Sequence, residues 1–247
     1  MVDIKFIHGD CLEEMPKLAD KSIDLILCDL PYGTTACKWD TIIPFEPLWK
    51  QYKRLIKNNG AIVLTASQPF TSALVMSNPG WFKYCWVWQK SRKTGFQMAR
   101  IRPMKEHEDI AVFYNAQPTY NQTLTRLEKP VKSWRKNGKG GNLLNVVKTE
   151  EGRMQEWTGF NSTIIPFANE HNVGAHPTQK PVALFEYLIR TYTNEGDMVL
   201  DNCAGSGTTG IAAFNTKRNA ILIEKDEQYF NAAKERFDRE TRQVAIW

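Results

Sequence analysis

The segment that most constrains the fold is Val199-Leu200-Asp201-Asn202-Cys203-Ala204-Gly205-Ser206-Gly207-Thr208-Thr209-Gly210. An apolar run ending in an acid, then spaced glycines, then small residues predicts a buried strand, a tight loop and a helix. Glycine permits the sharp turn and the close approach of backbone to a ligand. Glu224 ends the next apolar run, 220–224, at the spacing where an acid meets ribose hydroxyls in an open α/β sheet.

A glycine loop by itself has a bland reading as a tight turn and a second as a dinucleotide site. The residues Asp201 to Ala204 ahead of the first glycine fit a methyl-donor loop better than the dinucleotide fingerprint. A sulfonium donor is positively charged and has no pyrophosphate to cradle, so carboxylates such as Asp201 and Asp29 are tolerated beside it.

The rest of the chain is organised around that unit. Short β-rich runs at 4–8, 24–28, 61–65, 84–88, 110–114, 198–201 and 220–224 alternate with helical patterns at 45–58, 68–77, 181–193, 208–215 and 227–241. In the last helix Tyr229, Phe230, Ala233 and Phe237 recur at helical spacing. Asn58-Asn59-Gly60 and Asn78-Pro79-Gly80 read as turns. These patterns predict an α/β fold with a seven-stranded, mostly parallel sheet. The 247 residues fit one domain, and the irregular stretch at about 115–175 reads as an insertion.

Asp29-Leu30-Pro31-Tyr32 follows an apolar strand, at the carboxyl end where ligands sit in such sheets. Asp and Pro are common turn formers, so a plain strand-ending turn competes with a chemical role. The chemical role suits an aryl amine, whose nitrogen lone pair is delocalised and poorly nucleophilic. Acceptors such as the Asp29 carboxylate and the Leu30 carbonyl pull the nitrogen toward tetrahedral geometry and stabilise its developing charge. Pro31 fixes the turn, and Tyr32 offers a face to an extruded base.

Charge and cysteine content narrow the class. A net charge of +5 permits nucleic-acid binding without demonstrating it. Basic residues Lys90, Arg92, Lys93, Arg100 and Arg102 cluster with no acid among them, and Lys132, Arg135, Lys136 and Lys139 surround Trp134. Both groups are candidate contacts to a DNA backbone, though the first also reads as an ordinary solvated basic loop. The five cysteines contain no C-x-x-C pair, which points to a reducing, cytoplasmic setting rather than disulfides. No metal-ligand spacing occurs, and His107-Glu108 lacks the second histidine of a zinc-protease helix. No apolar run is long enough to span a bilayer.

Together these residues resemble the permuted β group of S-adenosylmethionine-dependent DNA amino-methyltransferases. The family's D-P-P-Y stands here as Asp29-Leu30-Pro31-Tyr32, and its D-P-F-x-G-S-G-T-T as Asp201 to Thr209. Its H-P-T-Q-K-P element stands as His176-Pro177-Thr178-Gln179-Lys180-Pro181. His8-Gly9-Asp10-Cys11 matches its first strand and loop. The resemblance implies a Rossmann-like class I methyltransferase fold, circularly permuted, with one antiparallel strand. It implies a donor site formed by Asp10, Cys11, Asp29, His176, Thr178, Gln179, Lys180, Asp201, Cys203, Ala204, Gly205, Ser206, Gly207, Thr208, Thr209, Glu224 and Lys225.

The same resemblance implies methylation at N6 of an adenine flipped from duplex DNA, in a bacterial or phage-encoded cytoplasmic enzyme. Target recognition would lie in the 115–175 insertion, with a homodimer and a cognate restriction endonuclease as possible partners. An acid at position 29 favours adenine, since N4-cytosine relatives usually carry Ser there. N4-cytosine transfer stays as the alternative, with a dinucleotide oxidoreductase and an inactive DNA-binding relative further off. A C5-cytosine mechanism needs a thiolate, usually from a Pro-Cys dipeptide that this chain lacks.

Overall fold

The computed structural model describes residues 2–35, 37, 40–123, 125–133, 153–169 and 179–242. Two compact units appear, one of residues 1–121 with 163–247, the other of residues 122–162. In chain order the larger unit contains β1 (Ile4–His8), α1 (Cys11–Glu14), β2 (Ile23–Asp29), α2 (Phe45–Leu55), β3 (Ile56–Ala66) and α3 (Phe70–Ser77). β4 (Phe82–Thr94) and β5 (Lys105–Phe113) follow. The smaller unit holds β6 (Thr125–Ser133) and β7 (Arg153–Thr158), after which the larger unit resumes with β8 (Ile164–Phe167). It ends with α4 (Val182–Tyr192), β9 (Met198–Asp201), α5 (Thr208–Asn215), β10 (Asn219–Glu224) and α6 (Glu227–Arg242).

One sheet runs β1-β10-β9-β2-β3-β5-β4-β8, and β5 is its antiparallel strand. The expected seven strands are therefore eight. β8, inside the stretch expected to be irregular, pairs in parallel with β4 from Val87↔Ile164 to Lys90↔Phe167. Its four residues are too short to stand out as a strand pattern. Residues 122–162 likewise contain the antiparallel β6–β7 ribbon, in which the Arg126 guanidinium lies 5.9 Å from the Trp157 ring centroid.

The central strands are buried on both faces, which is why they read as continuous apolar runs. In β2, Ile26 and Cys28 enter the layer with α2 and α3, while Leu25 and Leu27 enter the layer with α4. Each fully buried Leu or Ile side chain contributes roughly 2 kcal/mol from apolar burial. α2 aims Leu48, Trp49, Tyr52 and Leu55 at the first layer, and α4 aims Leu184, Phe185, Leu188 and Ile189 at the second.

The Asn58-Asn59-Gly60 turn is corrected: these residues lie within β3, where the register to β2 shifts between Ile23 and Leu25. A side chain at Gly60 would come within 2.7 Å of the Asp24 carbonyl, so the glycine serves close strand packing rather than a turn.

β9 and β2 are adjacent and parallel, yet the chain leaves them in opposite directions, β9 toward β10 and β2 toward β3. Loops at their carboxyl ends diverge and open a crevice, as at any such switch point in an open α/β sheet.

Candidate active site

A cavity of about 670 Å³ fills that crevice. Asp29, Leu30 and Pro31 form one wall, residues 201–206 with Thr208 and Thr209 another, and Asp10, Cys11, Glu224 and Lys225 a third. Gln179 and Lys180 also border it. Segments far apart in sequence thus converge on one space. Tyr32 and Gly207 are the expected catalytic and donor-site residues, among those described, that do not line it. His176 and Thr178 lie outside the described residues.

The glycine loop is held from beneath. Asp201 is buried and accepts hydrogen bonds from the Cys203 amide at 3.0 Å and from the Thr209 hydroxyl. Burial pushes its carboxyl up to about 6. Asp201 therefore staples the loop while also lining the cavity. Gly207 has φ of 75°, and a side chain there would crowd Ala233 of α6 at 3.1 Å. Arg236, also on α6 and unnoticed in the sequence, donates to the Ser206 carbonyl and the Thr208 hydroxyl, both at 3.0 Å.

Glu224 receives the Gly205 amide at 2.8 Å on one oxygen and the Asp226 amide at 2.9 Å on the other. Each carboxylate oxygen keeps a further acceptor site, so an oriented acid faces the cavity. Asp10 caps α1 through the Leu12 amide at 2.8 Å and pairs with Lys225 at 2.9 Å. The Lys225 hydrogen bond is the main cause that holds its carboxyl below the ordinary range.

At the opposite wall, Asp29 ends β2 and is aimed by three donors. One oxygen accepts the Tyr32 hydroxyl at 2.8 Å and the Thr65 hydroxyl. The other accepts the Lys180 ammonium at 2.7 Å. A carboxylate offers about four lone-pair sites, so one acceptor position remains. The Tyr32 ring stacks on Phe70 with centroids 5.2 Å apart. Beyond the tetrapeptide, Asp40 gathers the amides of Gly33, Thr34 and Thr35 at 2.7–2.8 Å. That clamp precedes Thr41, Ile42, Ile43 and Pro44, which complete the cavity and carried no recognisable motif.

Sequence reasoning gave Lys180 to the donor site; the structure adds a partnership with Asp29. Lys180 is buried and sits 3.5 Å from Glu108 as well as 2.7 Å from Asp29. Glu108 in turn binds Lys90 at 2.5 Å. Burial opposes the charge on Lys180, but Asp29 and Glu108 overcome it and raise its pKa. Burial works likewise to neutralise Glu108, and Lys180 and Lys90 reverse that, leaving it below the usual range.

Lys90 is thereby corrected from a DNA contact to an interior member of this network, stacked 5.0 Å over Trp88. Arg92, Lys93, Arg100 and Arg102 are exposed, with Lys93 3.4 Å from Glu106. Lys132 lies on β6 but its side chain is outside the described residues, as are Arg135, Lys136 and Lys139. Among the described residues no group of His, Cys, Asp or Glu could hold a metal ion, and no helix is long and apolar enough to cross a membrane.

An open α/β sheet with a glycine-walled crevice, and an oriented acid on the adjoining strand, defines a nucleoside-cofactor enzyme of the class I methyltransferase type. The chain belongs to the DNA methylase family, whose model matches residues 23–235. It is 29% identical over 254 residues to the type II methyltransferase M.HpaI of Haemophilus parainfluenzae, covering 97% of the chain and 76% of the relative. The DNA adenine methyltransferase YhdJ of Escherichia coli strain K12 is 28% identical over 251 residues, covering 94% of the chain and 82% of the relative. The crystal structure of the M1.HpyAVI–SAM complex superposes with a TM-score of 0.63 at 26% identity, covering 94% of the chain and 99% of that structure.

Proposed function

We propose that this protein is a site-specific DNA methyltransferase that moves a methyl group from S-adenosylmethionine to N6 of an adenine. The observation that carries this reading is that Asp29 and the 201–209 loop wall one cavity. The residues present fit the donor: Glu224 offers acceptors to a ribose diol, and Gly205 lets the backbone approach. Asp10, Lys225 and Cys11 surround the far end. When bound, the donor supplies an electrophilic methyl group on a sulfonium.

Asp29 and the Leu30 carbonyl accept the two hydrogens of the target amine and draw its lone pair toward that methyl. With the donor bound, transfer would form the N–C bond as the S–C bond breaks, and Asp29 or water would take the proton that the amine releases. Lys180 fixes the Asp29 carboxyl group by a hydrogen bond, so it is aimed as an acceptor before transfer begins. The order of elements, with Asp29 early and the glycine loop late, we read as the permuted β-group arrangement.

The amine is inside a duplex until the base is extruded, and we assign the unit of residues 122–162 to target recognition. The setting we infer is a bacterial or phage-infected cytoplasm. Pairing with a cognate restriction endonuclease fits the type II relatives, and self-association as a dimer is the expected assembly. Long-read sequencing of DNA from a methylation-free host expressing the protein tests the assignment. N6-methyladenine in one sequence context is the expected result; N4-methylcytosine, or no modified base, contradicts it.

A further inference from the structure

Between β4 and β5 the chain folds an ordered knob. Pairing of Thr94 with Lys105 closes its base. Backbone amides of Met98, Ala99, Ile101 and Arg102 donate to carbonyls three or four residues back, each at 3.0 Å. A loop organised to this degree normally turns apolar side chains inward, yet Phe96 is 79% and Ile101 75% exposed. Arg92, Arg100 and Arg102 are exposed around them, and no acid occurs from 91 to 105.

Both stems of the knob grow from the catalytic edge of the sheet. On the β4 stem, Lys90 reaches Asp29 through Glu108 and Lys180. On the β5 stem, the Lys105 ammonium touches the Ser67 hydroxyl, two residues past the Thr65 that hydrogen-bonds Asp29. β4 is parallel to β8 and antiparallel to β5, as β3 is, so the knob leaves the sheet at the same carboxyl edge as Asp29.

Cations around an apolar tip match an anionic backbone with a stacked apolar interior. We propose that the knob is a wedge for duplex DNA, with its arginines on phosphates and Phe96 and Ile101 entering the base stack where the target base departs. Extruding a base leaves an unstacked gap, and an apolar side chain that fills it offsets part of the cost. The inference rests on the functional reading above and goes beyond it by naming the surface that opens the duplex.

The test compares the parent with a Phe96→Ala/Ile101→Ala double variant, whose changes are on exposed positions. Two substrates carry the sequence context found by long-read mapping. One is an intact duplex, and the other has the target base opposite an abasic site. On the intact duplex the single-turnover rate should fall about ten-fold or more, while on the abasic duplex it stays within about two-fold of the parent, the gap being already present. The donor dissociation constant should be unchanged by calorimetry.

An unaltered rate on intact duplex overturns the inference, as does an equal loss on both substrates. Loss of self-association with full duplex activity would give this face to a second copy, and also overturns it. A parent that transfers no methyl to any DNA sinks the functional reading itself, so the two failures are distinct.

Discussion

In the proposed reaction, a carboxyl group that accepts a hydrogen bond from an aryl amine has to be aimed and left with a vacant lone pair. Asp29 meets these needs because Tyr32, Thr65 and Lys180 occupy its other acceptor sites. Lys180 is itself buried, and a buried ammonium is retained as a cation only when paired. Glu108 supplies the second partner, with Lys90 balancing the charge. Substituting Glu108→Gln should lower kcat roughly ten-fold while leaving donor affinity unchanged, because the buried ion-pair partner of Lys180 is lost from the support of Asp29.

The sign of the accompanying pH effect is fixed. Lys180 is raised in the fold by Asp29 and Glu108, so losing Glu108 lowers it and moves the alkaline limb of the rate profile to lower pH. Glu108→Asp should restore part of the limb; identical profiles for parent and Gln variant would contradict the role. Of this network, Asp29 was legible because its tetrapeptide is contiguous. Glu108 was not, since its partners lie 18 and 72 positions away and its neighbour His107 suggested only a failed zinc motif.

At the scale of elements, the loop after β9 is built as a stapled unit. Asp201 ties the end of β9 to the first turn of α5 through Thr209, and Arg236 of α6 ties that turn to the Ser206 carbonyl. Because Asp201 is buried, its carboxyl rises from an ordinary 3.8 to about 6. An acid raised in the fold favours the folded state while protonated. Its contribution is full below the unfolded value and is lost as pH rises through about 6. Two pH units correspond to roughly 3 kcal/mol.

Denaturant melts at pH 5 and pH 7.5 should show the parent losing more stability than Asp201→Asn across that interval; parallel losses would contradict the burial argument. The strand, glycines and Glu224 of this unit were legible because their spacing is local. Arg236 was not, because in α6 it looks like one more charge on a solvated face. β8 escaped notice because four residues cannot display a period, and its pairing to β4 is set only in three dimensions.

For the molecule as a whole, strand order makes the site. Adjacent parallel strands β9 and β2 carry their chains to opposite sides, and the resulting crevice brings together residues more than two hundred positions apart. The parallel sheet was readable from alternating patterns. The strands of the 115–175 stretch were not: residues 122–162 form a unit with their own ribbon, and Ile164–Phe167 pair into the main sheet.

The central claim is that the acid ending β2 and the loop following β9 act on one methyl group. The most direct measurement incubates unmethylated DNA and S-adenosylmethionine labelled on its methyl group with the parent or with Asp29→Ala, then identifies labelled nucleosides by mass. Label in N6-methyladenine with the parent, and a loss of at least about 100-fold in the variant with donor binding retained, is the predicted result. Equal transfer by the two proteins, or label on any other base, would contradict it.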